Sequence, residues 1–489
     1  MSKAELIKLF IQNNYLLKPE LLKTIPDMED YSDILNLAKK RIKKQQNVTM
    51  LTEDTIKDII CPTDKKEQCT SCVDVCSSYD KNSEKKEIQD FVKYFRARYE
   101  GLKKILMSRM ELQNAISISR VLEKSASERV AVIGIVSNKA ETKNGTVILT
   151  IEDITGTIKV LITKKNEELI KVTQEIVLDE VIGISGNTAD KAIFANNILF
   201  PDVPATKELK KSPEEAYVAF ISDIHVGSNM FLPEEFMRFI NWTNGNLGTE
   251  EQKAVAMKVK YLFIIGDLVD GIGIYPDQDK ELLIKDIYNQ YEKCAEYLSL
   301  IRKDIKIIIC GGNHDALRIS EPQPCLDRKY AKAIYELPNV TIVSNPATVN
   351  IHASSGFPGF DVLMYHGYSF DYYVANVNNI RNNGGYDRAD LIMKFLLQKR
   401  HLAPTHSSTL YIPEKTYDPL IIDKIPDFFV TGHIHKANIN SYKGVSTISG
   451  SCWQAKTSFQ EKVGHNPEPA RVPLVNLRTR AMTMMRFDN

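Results

Sequence analysis

Ile305-Lys306-Ile307-Ile308-Ile309-Cys310-Gly311-Gly312-Asn313-His314-Asp315 decides the fold of the second half of this chain. A β-branched apolar run stops at two glycines and gives way to an amide, an imidazole and a carboxylate. Short runs of this kind are buried strands, and the glycines let the backbone turn sharply and approach other groups closely. Four more segments repeat the pattern. The run 217–222 leads into Asp223-Ile224-His225, and 261–265 into Gly266-Asp267-Leu268-Val269-Asp270. The run 362–365 leads into His366-Gly367, and 428–431 into Gly432-His433-Ile434-His435. Side chains two apart on an extended segment point the same way, so Asp-x-His and His-x-His each offer two groups to one pocket. In α/β sheets such groups collect beyond the carboxyl ends of strands.

The donor set is carboxylate, imidazole and amide, which suits hard-to-borderline divalent ions such as manganese, iron or zinc and needs no thiolate. Histidine placement supports recruitment for chemistry. Of nine histidines none occurs in the first 224 residues, and five sit inside these motifs.

Outward from the motifs, residues 206–489 alternate short strands with helical stretches, the pattern of a layered α/β domain with α/β/β/α sheets. Ahead of it, 128–205 carries β-branched runs at 130–136, 146–152 and 158–163, a helical stretch at 164–171, and runs at 180–185 and 192–199. Three strands, a helix and two strands is the order of an OB-fold barrel. Such barrels bind single strands by stacking bases on aromatics of the second and third strands. Here Val147, Leu149, Ile151, Val160 and Ile162 are aliphatic, which favours packing or partner contact. Residues 46–127 form a linker with a cysteine cluster and then helical periodicity from 88. Residues 1–45 form a small helical unit, with Leu6, Leu9, Phe10, Leu16 and Leu17 at helical spacing. The whole is an α/β (α+β) multidomain chain.

Lysine plus arginine (63) balances aspartate plus glutamate (62), which argues against a stand-alone nucleic-acid binder. No apolar run approaches the ~20 residues that span a bilayer, and the N-terminus lacks a signal-peptide pattern. A cytoplasmic protein without a membrane partner is expected. Cys61, Cys69, Cys72 and Cys76 fall close together, and either a structural zinc or iron–sulfur site or free thiols would account for them. His352 and His465 are expected at the surface, while His401 and His406 are open to two readings, an ordinary structural place or the lining of a nucleic-acid groove.

The ordered set Asp-x-His, Gly-Asp-x-x-Asp, Gly-Asn-His-Asp, His, Gly-His-x-His resembles the calcineurin-like metallophosphoesterase superfamily. The resemblance implies two divalent ions, with manganese favoured by the histidine-rich shell and iron, zinc or magnesium as alternatives. One would be held by Asp223, His225, Asp267 and His435. The other would be held by Asp267, Asn313, His366 and His433, with Asp267 bridging. His314 would act beside the metals, oriented by Asp315.

The flanking order of helical unit, linker, OB-fold and phosphoesterase resembles the small-subunit family of archaeal D-family DNA polymerase. So do Lys399-Arg400-His401-Leu402-Ala403-Pro404-Thr405-His406, Ser449-Gly450-Ser451-Cys452-Trp453-Gln454 and Pro467-Glu468-Pro469-Ala470-Arg471-Val472-Pro473. That family implies a 3′-to-5′ exonuclease acting on DNA, a heterodimer with a large catalytic subunit, and contact with a sliding clamp through the holoenzyme. Related eukaryotic B-subunits lack intact ligands, whereas every ligand position here is filled. Two alternatives stand beside it: a non-catalytic scaffold subunit, and another DNA or nucleotide metallophosphodiesterase.

Overall fold

The structure, a computed structural model, describes residues 15–17, 49–51, 72–81 and 84–488. It divides into two units, Met1–Thr70 and Ser71–Asn489. In the first, β1 (Tyr15–Leu17) pairs in parallel with β2 (Thr49–Leu51). The helical spacing expected through Leu16 and Leu17 is therefore not realised at β1. Asn13 and Asn14 just before it are poor helix formers. The rest of the expected helical unit lies outside the described residues.

The second unit begins with β3 (Val73–Ser78) and the helix α1 (Ile88–Leu106). Then come the barrel strands β4 (Arg129–Glu141), β5 (Val147–Asp153), β6 (Gly156–Ile162), β7 (Val181–Ala189) and β8 (Ala192–Leu199). They close in the order β4-β5-β6-β8-β7, with β6 and β8 parallel and every other pair antiparallel. Val147, Leu149, Ile151, Val160 and Ile162 fill the barrel interior. On β5 and β6 the outward set is thus Ile148, Thr150, Thr157, Lys159 and Leu161, which also lacks an aromatic, and the exposed ring nearby is Phe194 of β8, beside Leu161.

Eleven strands build the remainder. They are β9 (Tyr217–Ile221), β10 (Val259–Ile265), β11 (Lys306–Cys310), β12 (Val340–Ile342), β13 (Ala347–Ile351) and β14 (Phe360–Met364). After them come β15 (Phe428–Thr431), β16 (Asn438–Tyr442), β17 (Val445–Ser449), β18 (Arg471–Asn476) and β19 (Met482–Arg486). Two six-stranded sheets result, β12-β11-β10-β9-β18-β19 and β16-β17-β15-β14-β13-β3. Their facing sides bury Phe220, Tyr261, Phe263, Val349, Val362 and Phe428. Because β10 is covered on both faces, Leu262 and Ile264 point instead to the outer helices α2 (Pro233–Thr243) and α3 (Ile287–Ser299). Helix α4 (Ala389–Lys399) packs on the other sheet through Ile392, Phe395 and Leu396. This is the expected α/β/β/α layering.

The segment expected to be a linker supplies β3, the antiparallel edge partner of β13. Its residues Val73-Asp74-Val75-Cys76-Ser77-Ser78 carry only two large apolar side chains and remain mostly exposed, so periodicity gave little sign of it. Past its end, Tyr79 Oη donates to Glu414 at 2.9 Å and Lys81 pairs with the same carboxylate at 2.6 Å. Cys76 lies on this strand four residues after Cys72, which stands at its head. An extended rise of ~3.3 Å per residue separates their Cα atoms by ~13 Å, too far to chelate one tetrahedral ion. Cys61 and Cys69 lie outside the described residues.

Helix α1 buries Tyr99, Leu102 and Leu106 against the barrel, and Tyr94 against the layer of α4. Its Arg98 is fully buried and pairs with Asp418 at 2.8 Å, beside Tyr94 Oη at 2.8 Å from the same carboxylate. His401 completes this cluster, donating to Asp418 at 2.8 Å, so it does not line a groove. His352 is buried too, its Nδ1 3.3 Å from Tyr261 Oη and its amide bonded to Cys72 O. His465 is half-buried against Tyr386, centroids 4.2 Å apart. Barrel and phosphoesterase layers also meet through Glu180 and Lys399, a buried pair at 2.7 Å with the ammonium 3.5 Å over Phe200. Among the described residues no helix is long and apolar enough to cross a membrane.

Two stability predictions follow from these buried charges. Lys399→Met strands the Glu180 carboxylate and is expected to cost about 3–5 kcal/mol in denaturant unfolding. The double variant with Glu180→Gln should recover a large part. Burial, reinforced by the charge of Arg98, depresses His401 from 6.5 to about 4. Between these values the unfolded chain binds a proton that the folded one refuses. Stability should therefore fall on acidification from pH 6.5 to 4 by up to ~1.4 kcal/mol per unit, and His401→Gln should flatten that slope.

Candidate metal centre

Strands β9, β10 and β11 run parallel in one sheet, and β14 and β15 run parallel in the other, so their carboxyl ends open on a common edge. All seven expected ligands and His314 gather there. At five of them the backbone is left-handed: Asp223 (φ 51°), His225 (56°), Asp267 (52°), His433 (70°) and His435 (54°). Such conformations cost non-glycine residues of the order of 1–3 kcal/mol each and persist only where the surroundings enforce them. Glycine is required alongside. A Cβ at Gly312 would collide with Asp267 Oδ1, and one at Gly266 with the His366 ring.

Ligand atoms fall into two groups around Asp267. In one, His225 Nε2 faces His435 Nε2 at 3.1 Å, and His435 Nε2 lies 3.4 Å from Asp223 Oδ1. In the other, Asn313 Oδ1 lies 2.9 Å from His366 Nε2 and 3.0 Å from His433 Nδ1. Asp267 Oδ2 reaches both, 3.8 Å from His225 Nε2 and 3.3 Å from His366 Nε2. Asp223, His225, Asp267 and His366 are buried to within 1% exposure, so the mouth is formed by Asn313, His314 and His433.

Each ring is held from behind. His225 Nδ1–H donates to Asp270 Oδ1 at 3.1 Å, His366 Nδ1–H to Ile265 O at 2.9 Å, and His433 Nε2–H to Asp371 Oδ2 at 2.9 Å. The Gln460 amide holds His435 Nδ1 at 2.9 Å. These partners take the outer nitrogen of the first three rings and leave the inner one to a cation once any proton on it is displaced, the usual arrangement behind ligating histidines. Burial opposes the charge on His366, but Asp267 outweighs it and pushes the imidazole up to about 10. Asp267 is held well below the carboxylate range by His366 and His314, against the effect of its own burial. A cluster that packs lone pairs and carboxylates this closely fits a divalent cation better than protons, since only one of two facing imidazole nitrogens can carry a proton.

Asp315 does not orient His314. Its carboxylate accepts from Gly312 N at 2.8 Å and from Tyr291 Oη at 3.0 Å, bracing the loop, and burial pushes it up to about 7. His314 is fixed instead by Nδ1–H donating to the Asp270 carbonyl at 2.8 Å, and by its own amide donating to Asp267 Oδ1 at 2.8 Å. Asp270 was visible in the second motif, although its role was not. Asp371 and Gln460 follow no motif and carried no sequence signal.

This edge, with its donors at the ends of parallel strands, matches the family model described as calcineurin-like phosphoesterase over residues 216–437. A phosphoesterase domain of that class, implying divalent-metal binding, is therefore present. Relatives specify the chain further. The DNA polymerase II small subunit of Methanothermobacter thermautotrophicus is 42% identical over 390 residues, 80% of this chain and 78% of that one. That of Archaeoglobus fulgidus is 38% identical over 80% and 76% of the two chains, and that of Methanocaldococcus jannaschii 40% over 80% and 64%. The chain belongs to the family of DNA polymerase II small subunits.

Asp371→Ala removes the support of His433 without touching the buried donors. It is expected to lower manganese affinity about 10–100-fold in calorimetric titration, with an unchanged unfolding midpoint before metal is added.

Proposed function

We propose that this chain is the nuclease-bearing small subunit of a heterodimeric replicative polymerase, removing nucleotides from unpaired 3′ DNA ends. The observation that carries the reading is Asp267 Oδ2, which lies within 3.8 Å of imidazoles from both donor groups. Asp223, His225, Asp267 and His435 would hold one divalent cation, and Asp267, Asn313, His366 and His433 a second, with manganese the favoured ion. When bound, the pair would neutralise the phosphodiester and lower the pKa of the attacking water.

The remaining chemistry belongs to the side chains. His314, its Nδ1–H held by the Asp270 carbonyl, presents Nε2 to the departing oxygen and, in its protonated form, supplies it with a hydrogen bond or proton. The water oxygen forms a new bond to phosphorus and the P–O3′ bond breaks. A proton reaches the 3′ oxygen, leaving a shortened strand with a 3′ hydroxyl and a nucleoside 5′-monophosphate. The barrel, read as an OB-type module whose second and third strands turn no aromatic outward, packs or contacts the large polymerase subunit.

The test is digestion of end-labelled single-stranded DNA with manganese, by the chain alone and with its large subunit. His314→Ala should slow release about 10²–10⁴-fold, and Asp267→Ala should abolish it. Release unaffected by either change, or none from the wild type, would rule out the nuclease and favour a scaffold subunit.

A further inference from the structure

We infer that the open cavity beside His433 receives the unpaired base of the terminal nucleotide, so that a strand end is cut only after that base leaves the duplex. This rests on the nuclease reading above. The cavity measures about 760 Å³, within the range of small-ligand sites. It adjoins the metal centre: Asp371, which holds His433 at 2.9 Å, lines it, and the Tyr368 ring lies 5.7 Å from the His433 ring. Tyr372 and His406 extend the aromatic wall, and Leu410, 59% exposed, adds apolar surface.

This wall is formed in advance. The His406 ring stacks on Tyr411 at 5.2 Å with 11° between the planes, and the edge of Phe91 closes on it at 6.1 Å. Stacking on such rings contributes ~1–3 kcal/mol per base and tolerates any base. Of the polar groups lining the cavity, the Asp371 carboxylate already accepts from His433. Ser320 and Ser407 carry hydroxyls that donate or accept, so neither selects one base over another. A site that must remove whichever nucleotide was misplaced needs that indifference.

The opposite flank is accounted for differently. His314 lines a second cavity, of about 660 Å³, with Arg318, Ile274 and Leu317. Since His314 serves the departing 3′ oxygen, that side belongs to the shortened strand and its phosphates. The aromatic side is left for the nucleotide that is released. A base still paired and stacked in a duplex cannot present its face to Tyr368. Unstacking costs least at a mismatched end, so the cavity converts fraying into selectivity.

The experiment uses the full chain with its large polymerase subunit, manganese, and two oligonucleotides ending in a 3′ thymidine or a 3′ abasic residue. Wild type should release the thymidine nucleotide at least about 10-fold faster in kcat/KM. Tyr368→Leu should lose about 10–100-fold on thymidine, as stacking of that strength requires, and leave the abasic end unchanged. Tyr368→Phe should behave as wild type. His406→Ala, at an exposed position opening a short 3₁₀ turn, gives the same selective loss should Tyr368→Leu fail to fold. Equal wild-type rates on both ends, or variants that slow both alike, overturn the cavity's role while the nuclease stands. Release from neither end overturns the nuclease reading, and the cavity's role with it.

Discussion

Asp267 is the carboxylate on which the second unit is organised. It leaves the end of β10, a strand flanked by β9 and β11 in parallel register, and its two oxygens have separate duties. Oδ1 accepts the His314 amide, fixing the loop after β11, while Oδ2 faces imidazoles that arrive from both sheets. Burying such a group is unfavourable unless charge compensates it. The glycines at 266 and 312 exist because the backbone must come this close, and the left-handed turns exist because the donors must fold back over the strand ends. Much of the local irregularity in the domain traces to that one requirement.

What could be read in advance was whatever is local. Each motif pairs an apolar run with a polar turn inside a dozen residues, so the five strands and the convergence of their ends were legible. Long-range partners were not. Asp371 reaches His433 across 62 positions, and Gln460 reaches His435 from a short helix near the C-terminus. Asp315 follows His314 directly and was assigned to it by adjacency, yet its side chain turns inward to Tyr291 and Gly312. His352 and His401 lie outside the motifs, where the first reads as surface and the second as either structural or groove-lining. Both are buried, because a tyrosine hydroxyl and an aspartate supply the hydrogen bonds that make burial tolerable.

The non-catalytic parts do more than precede the phosphoesterase. Helix α1 packs on the barrel with one part of its face and on the α4 layer with another, and Arg98 and Tyr94 converge with His401 on Asp418. Glu180 and Lys399 repeat the device across the same contact. Buried ion pairs contribute little net stability against apolar replacements, but they penalise displaced arrangements heavily. Placed here, they hold the barrel in one pose relative to the layer that carries His433 and the aromatic cavity.

The edge strand β3 has a consequence for how the chain tolerates shortening. With β3 in place, β13 is bonded on both sides, by β14 and by a segment anchored through Tyr79 and Lys81. A fragment trimmed back to residue 84 would keep every residue of the candidate metal centre and still bare a ladder of unpaired amides and carbonyls along β13. Naked borders of that sort recruit strands from neighbouring molecules, so such a fragment would be prone to self-association for reasons unrelated to its chemistry.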